Sequence, residues 1–452
     1  MKATQTVKIT TLGCKVNQCE SDTIGRSLQK LGLTIEINDK APDICIVNTC
    51  TVTQKASMQS RQAIRKAIKT YPKAKIVVTG CYAQTAPKEI AAIEGVSLVI
   101  GNTDKLNLPD ILTQSDRSLK CSPAIIHRNI GRQSHFKAST IVAHGSRTRP
   151  FLKIQDGCNA GCTYCIVPHA RGPSRSMPLK TVLTQLDQLN QAGFKEVVLT
   201  GIHLGCYGQD LIPSLTLLTL LEAIDRTQPV KRMRLSSIEP IELGPEIIEL
   251  VAVSKIFCRH FHVPLQSGDN TILKKMKRPY FREDYRKKIM QINSKVPDAA
   301  IGADIVVGFP GETDAAFNQT LSLVGSVPVS YLHVFPFSPR KHTPAYSYPN
   351  KVPERIIKKR CKILRELGQA KKKRFYTQKI GQTVTVLVEG TRDRDTGKLK
   401  GLSANYIPVL MDGDNSLKNT LVEAEITDVT ANLKVMGKIK SAADDQKSPH
   451  GT

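Results

Sequence analysis

Gln155-Asp156-Gly157-Cys158-Asn159-Ala160-Gly161-Cys162-Thr163-Tyr164-Cys165 is the stretch that decides how this chain folds. Its three cysteines stand with three residues between the first pair and two between the second, on a glycine-containing loop. A loop this tight points three thiolates at one small volume. Thiolates are the ligands of iron–sulfur clusters, which usually take four. Three from the protein would leave one iron open to another ligand. A zinc site would close with a fourth Cys or His, and His169 is the one nearby candidate.

Outward from this loop, residues 151 to about 374 carry six strand-then-helix units, with strands near 151–155, 196–200, 231–236, 258–263, 301–307 and 331–336. Amphipathic helical patterns lie between and after them, at 179–192, 215–226 and 315–324. Repeated units of this length predict an α/β barrel, or part of one, with chemistry on the loops that follow the strands. The cysteine loop follows the first strand and so lies on that face. Other strand ends carry polar residues or glycine: Thr200-Gly201, Ser236-Ser237-Ile238-Glu239, Gln266 within Pro264 to Gly268, and Gly308 within Gly308 to Glu312. Their recurrence on one face predicts a shared ligand pocket.

Residues 1–125 alternate short apolar runs with helical patterns, as an α/β unit with a parallel sheet does. Strands are expected at 7–12, 44–48, 76–79 and 96–100, and helices at 21–31, 55–70 and 87–94. Cys14, Cys50 and Cys81 each follow one of these strands. In open parallel sheets, ligands sit beyond the carboxyl ends of the strands. Three thiols distant in sequence would therefore converge on one rim and form a second three-cysteine site. The alternative is three buried structural cysteines.

Residues 126–149 read as a linker, and the barrel domain as 150–375. Its last stretch, 355–374, is a basic helix bearing Lys358, Lys359, Arg360, Lys371, Lys372, Lys373 and Arg374, either a solvated face or an RNA contact. Beyond Tyr376 the texture changes, with short strands expected at 384–389, 398–403, 406–411, 422–429 and 433–438. These suit a small β-barrel of the oligonucleotide-binding kind over 376–442, with Tyr406 as a stacking platform. The polar tail 443–452 is expected to be disordered.

Lys and Arg number 65 against 39 Asp and Glu, a formal net charge of +26 in 452 residues. Such a balance points to a polyanionic partner, foremost nucleic acid, or else to a generally basic surface. Twelve cysteines, behind a start (Lys2 to Lys8) too polar for a secretory signal, fit a reducing compartment. No apolar run approaches the roughly 20 residues of a membrane span. A cytoplasmic protein with no membrane partner is the expectation.

Three parts in this order resemble the radical S-adenosylmethionine (SAM) methylthiotransferase family. That family joins a cluster-binding domain, a radical SAM barrel and a terminal RNA-binding TRAM domain. Thr11-Leu12-Gly13-Cys14-Lys15-Val16-Asn17-Gln18 and Leu199-Thr200-Gly201-Ile202-His203-Leu204-Gly205 look most like the branch acting on threonylcarbamoyladenosine in tRNA, although Cys19 stands where that branch usually has Tyr. The other branches act on isopentenyladenosine or a ribosomal protein. The resemblance implies that Cys158, Cys162 and Cys165 hold one 4Fe–4S cluster, whose open iron binds SAM. Cys14, Cys50 and Cys81 would hold an auxiliary 4Fe–4S cluster carrying the sulfur to be transferred. Thr200 and Gly201 would meet the SAM amino group, Ser236 and Glu239 its ribose, and Gly308 its adenine, with Gln266 a further pocket residue. In the family's mechanism SAM serves twice, as radical source and as methyl donor. A low-potential electron donor such as a flavodoxin or ferredoxin, a sulfur donor and the tRNA anticodon stem-loop are the implied partners. RNA contact would come from the terminal barrel, the basic helix, and Arg147, Arg149, Arg171 and Arg175, the last two serving equally well as braces of the cysteine loop. An iron–sulfur RNA-binding regulator without turnover is the reading from another class.

Overall fold

Residues 5–36, 41–114, 123–133, 135–137 and 147–442 are described by a computed structural model. The tail 443–452 and Cys121 lie outside them.

The first region is a parallel sheet of β1 (Thr6–Thr11), β2 (Thr34–Ile35), β3 (Ile44–Thr49), β4 (Lys75–Gly80), β5 (Leu98–Ile100) and β6 (Ala124–Ile126). The strands lie in the order β2-β1-β3-β4-β5-β6. Every residue of β3 is buried, which is why Ile44-Cys45-Ile46-Val47 reads as a continuous apolar run rather than an alternation. β6 was not anticipated, and three residues at a sheet edge give too little pattern to read. The helix expected at 21–31 begins earlier, at Lys15, with extended Cys14 as its N-cap. Polar residues Asn17, Glu20 and Ser21 are buried on its first turns, so the apolar pattern that Ile24 and Leu28 carry is broken there. The helix expected at 87–94 is shorter, Pro87–Ala91, and a separate, unexpected helix, Cys81–Thr85, precedes it. They break at Ala86, where the following proline disfavours helical backbone.

The central region opens with β7 (Phe151–Lys153), β8 (Gln155–Asp156) and β9 (Arg175–Ser176), then runs through β10 (Glu196–Thr200), β11 (Arg232–Leu235), β12 (His260–His262), β13 (Ala300–Val307) and β14 (Tyr331–Pro336). Parallel sheets β11-β10-β7 and β12-β13-β14 are joined by bridges Met233↔Phe257 and Ser237↔His262 into an open arc. Met233, Leu235, Ala303 and Ile305 face the helices and form the main core. Strand alternation turns Arg232, Arg234, Gly302 and Asp304 to the concave side.

The last region closes a five-stranded barrel, β15-β16-β17-β19-β18, from β15 (Thr383–Arg392), β16 (Leu399–Ser403), β17 (Pro408–Met411), β18 (Leu421–Val429) and β19 (Val435–Ala442). β17 starts two residues later than expected, because Tyr406 sits in a turn at φ 64°. The barrel docks on the arc through Arg232 and Arg234, which donate to the carbonyls of Leu402 (2.7 Å) and Ser403 (3.0 Å). Glu196 fixes both guanidiniums, accepting from Arg232 at 2.6 Å and Arg234 at 2.8 Å. No helix of the described residues is long and apolar enough to cross a membrane.

Candidate active site

The loop of Cys158, Cys162 and Cys165 leaves β8 through Gly157, whose φ of 75° favours glycine. A Cβ there would collide with the carbonyl of Pro173. Cys158 N–H donates to the Gly172 carbonyl at 3.0 Å, and Cys165 N–H to Cys162 at 3.1 Å. Thr163 ties the loop to the helix Asn270–Lys275 by donating its hydroxyl to Lys275 at 2.8 Å. The sulfurs themselves are dressed with donors. Ala160 N–H reaches Cys158 Sγ at 3.4 Å, His203 Nδ1 lies 3.3 Å from it, and Arg278 donates to Cys162 Sγ at 3.3 Å.

The second site is assembled by strand register. Thr11 of β1 pairs with Asn48 of β3, and Thr49 of β3 with Gly80 of β4. The residues that follow these strand ends, Cys14, Cys50 and Cys81, therefore share one rim. Gly13 passes close to the second cysteine, since a Cβ on it would stand 2.9 Å from Cys50 Sγ. Asn17 knits the loops, donating to Leu12 (2.8 Å) and Thr49 (3.0 Å), with its carbonyl oxygen 4.0 Å from Cys81 Sγ. Asn102 donates to Cys81 Sγ at 3.7 Å and to the Ala170 carbonyl at 2.7 Å, which links this rim to the barrel.

Both sets fit iron–sulfur clusters. Burial pushes the Cys165 thiol up to about 12, with Cys162 and Cys158 adding to the rise. Cys50 is pushed up to about 11 by burial and then by Cys81. Such thiols ionise together only around a cationic centre. N–H groups aimed at the sulfurs are the usual second layer of cluster sites. Zinc fits less well. Bound at about 2.3 Å, a zinc ion needs sulfurs roughly 4 Å apart. Among the described residues, the groups of His, Cys, Asp and Glu whose ligand atoms all lie within 4.8 Å of one another are His203–Cys206–Glu242 and His262–Asp304–His333, and neither cysteine set is one of them. His169 lies beside His342, ring centres 6.0 Å apart and planes tilted by 44°.

Between the two sites lies a buried charge network that the sequence did not reveal. Glu20 accepts from Lys105 (2.6 Å), Lys153 (2.9 Å) and Arg171 (2.9 Å). Asp156 takes Lys153 at 3.1 Å and Arg171 at 2.9 Å, and lies 3.6 Å from Arg175. Burial alone would raise Glu20, yet Arg171, Lys105 and Lys153 hold it well below the usual carboxylate range. Arg171 also donates to Asn17 at 2.6 Å. Arg171 and Arg175 are buried, so they brace the cysteine loop and are not RNA contacts. Arg360 of the basic helix is likewise internal, bonded to Glu312 at 2.6 Å.

The remaining expected residues are distributed as follows. Thr200 is buried, its carbonyl accepting from Ile154 at 3.0 Å. Gly201 packs against Gln155, where a Cβ would stand 2.9 Å from Oε1. Ser236 Oγ is buried without a hydrogen-bond partner among the described residues, as a ligand-binding hydroxyl would be. Glu239 pairs with Arg278 and so also positions the guanidinium that reaches Cys162. Gln266 (φ 65°) bridges to β13, and Gly308 (φ 82°) receives Glu312 on its N–H at 3.0 Å. Tyr406 is not an open stacking platform, because His260 already stacks on it at 4.2 Å. His203 and Arg278 escaped the sequence reading. His203 lies in the Gly201-to-Gly205 motif, where a lone histidine carries no ligand signal of its own, and no local motif marks Arg278. A cavity of about 310 Å³ opens beside β7, β10 and β11, lined by Lys15, Arg147, Arg149, Arg234 and Glu389 among others.

Comparison with known proteins follows the same division. Residues 6–101 match the model of "Uncharacterized protein family UPF0004", and 152–324 that of the radical SAM superfamily. The chain is 39% identical over 408 residues, 90% of its length, to the threonylcarbamoyladenosine tRNA methylthiotransferase MtaB of Aquifex aeolicus, 97% of which is covered. It is 37% identical to MtaB of Bacillus subtilis over 93% of each chain. To the tRNA-2-methylthio-N(6)-dimethylallyladenosine synthase of Pelotomaculum thermopropionicum it is 33% identical, over 93% of this chain and 94% of the other. Among solved structures, the radical SAM methyltransferase TsrM of Kitasatospora setae, with cobalamin and a 4Fe–4S cluster bound, aligns with a TM-score of 0.55 at 15% identity, covering 76% of this chain and 77% of that one. That likeness is one of fold. Cluster-competent cysteines on a radical SAM arc, and relatives this similar along nearly their whole length, give one conclusion: the chain belongs to the radical SAM tRNA methylthiotransferase family.

Proposed function

We propose that this protein converts threonylcarbamoyladenosine beside the anticodon of tRNA into its 2-methylthio derivative. The observation that carries this reading is the pairing of two three-thiolate sites, one on the barrel loop and one on the neighbouring sheet rim. The adenine C2–H bond is unactivated and lies beyond acid–base groups. When bound, the barrel cluster with SAM supplies radical C–H abstraction, the auxiliary cluster supplies sulfur, and a second SAM supplies the methyl group.

The chain's own residues hold and orient. Cys158, Cys162 and Cys165 anchor the SAM-binding cluster, and Cys14, Cys50 and Cys81 the auxiliary one. Ser236 offers its free hydroxyl to the SAM ribose, and the close-packed backbone at Thr200–Gly201 faces the amino group. Glu239, Gln266 and Gly308 complete the pocket wall. Arg278 and His203 stabilise negative charge on Cys162 and Cys158. The Glu20–Arg171 network keeps the two sites in fixed relation. The domain limits 1–125, 150–375 and 376–442 match these roles, with the terminal barrel and the exposed lysines of the basic helix gripping RNA phosphates. Electrons would come from a flavodoxin- or ferredoxin-like donor and replacement sulfur from a separate donor, in the cytoplasm.

Isopentenyladenosine is the second reading, favoured by the relatives at 33% identity. Nucleoside mass spectrometry of tRNA from cells with and without this gene separates the two. Loss of 2-methylthio-threonylcarbamoyladenosine with accumulation of its parent supports the proposal. Loss of the isopentenyl derivative instead, or no change, contradicts it.

A further inference from the structure

Among the described residues, the cavity beside β7, β10 and β11 sets four cations, Lys15, Arg147, Arg149 and Arg234, against the single carboxylate Glu389. Three of the cations are engaged. Arg149 donates to Glu389 at 2.7 Å, Arg234 to Glu196 at 2.8 Å, and Arg147 to Gln18 at 2.8 Å. Lys15, partly buried, makes no hydrogen bond or ion pair among the described residues. Asp304 does not serve it, for that carboxylate takes His333 Nδ1 at 3.0 Å and stands 3.1 Å from His262 Nε2. A half-desolvated ammonium without a partner is unfavourable, and an anionic ligand relieves it.

Position indicates which anion. Lys15 directly follows Cys14, a thiolate of the sulfur-donating site. The adenine C2 atom must come to that site. C2 and the N6-bearing carbon flank N1 of the same ring, so a substituent on N6 projects alongside the reacting edge. In threonylcarbamoyladenosine that substituent ends in a carboxylate; in isopentenyladenosine it is an uncharged hydrocarbon. We infer that Lys15, in its guanidinium-lined cavity, binds the threonyl carboxylate and thereby selects the nucleoside. This rests on threonylcarbamoyladenosine being the substrate.

The test uses two anticodon stem-loop RNAs, identical except that one carries threonylcarbamoyladenosine and the other its carboxamide, with –CONH2 in place of the carboxylate. Kd by fluorescence anisotropy and kcat/KM for methylthiolation are measured for the cluster-loaded wild-type protein, Lys15→Met and Lys15→Arg. A charge-assisted contact predicts that the wild type prefers the acid by about 10- to 100-fold. Lys15→Met should weaken only the acid and bring the ratio close to 1, with its carboxamide binding showing that the fold is intact. Lys15→Arg should retain most of the preference. The assignment is overturned if the wild type does not discriminate, if Lys15→Met keeps the preference, or if it weakens both RNAs equally, as loss of a phosphate contact would. A wild-type protein that methylthiolates neither RNA overturns the substrate reading itself, and the inference with it.

Discussion

The barrel and the sheet domain solve the same problem, three thiolates around one point, in opposite ways. In the barrel the cysteines fall within one loop, and local turns place them: Gly157 lets the chain pass under Pro173, and Cys165 closes back on Cys162. In the sheet domain Cys14, Cys50 and Cys81 come together only because β1, β3 and β4 are adjacent and in register. The first site is a property of a short peptide; the second is a property of a fold. The local site should therefore survive strain in its domain, whereas the rim should be lost with its sheet.

The sharpest way to break the comparison is at the thiolates. Cys162→Ala should abolish SAM cleavage altogether. Cys50→Ala should leave 5′-deoxyadenosine formation in place while the methylthio product disappears. Chromatography of both products from reduced enzyme checks this, and equal loss of cleavage in the two variants contradicts the division of labour.

Arg171 tests how the two sites are joined. Arg171→Met leaves Glu20 with Lys105 and Lys153, and Asp156 with Lys153 and Arg175, so it should destabilise by about 1–3 kcal/mol, less than stranding a lone buried charge would. Denaturant unfolding reads this out. An unchanged midpoint would mean that the network does not couple the domains.

The difference also explains what the sequence disclosed. The Cys158–Cys165 spacing, the six barrel strands and the five terminal strands were legible because each is carried by a local pattern. Cys14, Cys50 and Cys81 could be grouped only through the general rule about strand ends. The Glu20–Arg171 network was not legible, since its members come from positions as distant as Glu20, Lys105 and Arg171, and acids and bases look solvent-facing until their partners are known. Tyr406 was misread for the same reason: only the folded chain shows that His260 lies across its face. Arg278 likewise reaches Cys162 from far along the chain.

Arg278 offers a gentler test. Arg278→Gln removes a charged donor from Cys162 Sγ, and should lower activity by about 10- to 100-fold, as outer-layer changes at metal sites do. The potential of the barrel cluster should shift while that of the auxiliary cluster stays put, as measured by EPR-monitored titration. A shift in both would sink the assignment of Arg278 to one site.

The smallest effect concerns the docked terminal barrel. Burial opposes ionised Glu196, but Arg232 and Arg234 hold it down to about 2, against an ordinary 4.5. Its contribution to docking is thus fully present above about pH 4.5 and is lost as pH falls toward 2. Limited proteolysis between the domains should be flat from pH 7 to pH 5 and rise below. Glu196→Gln should remove that rise, and its persistence would count against the pairing.

The most direct test of two separate cluster sites is iron and acid-labile sulfide analysis of two triple variants. One replaces Cys158, Cys162 and Cys165 with Ala, the other Cys14, Cys50 and Cys81. The wild type should hold about eight irons per chain and each variant about four, with a 4Fe–4S EPR signal on reduction. A wild type with only four irons, or either triple variant retaining all eight, would contradict the account.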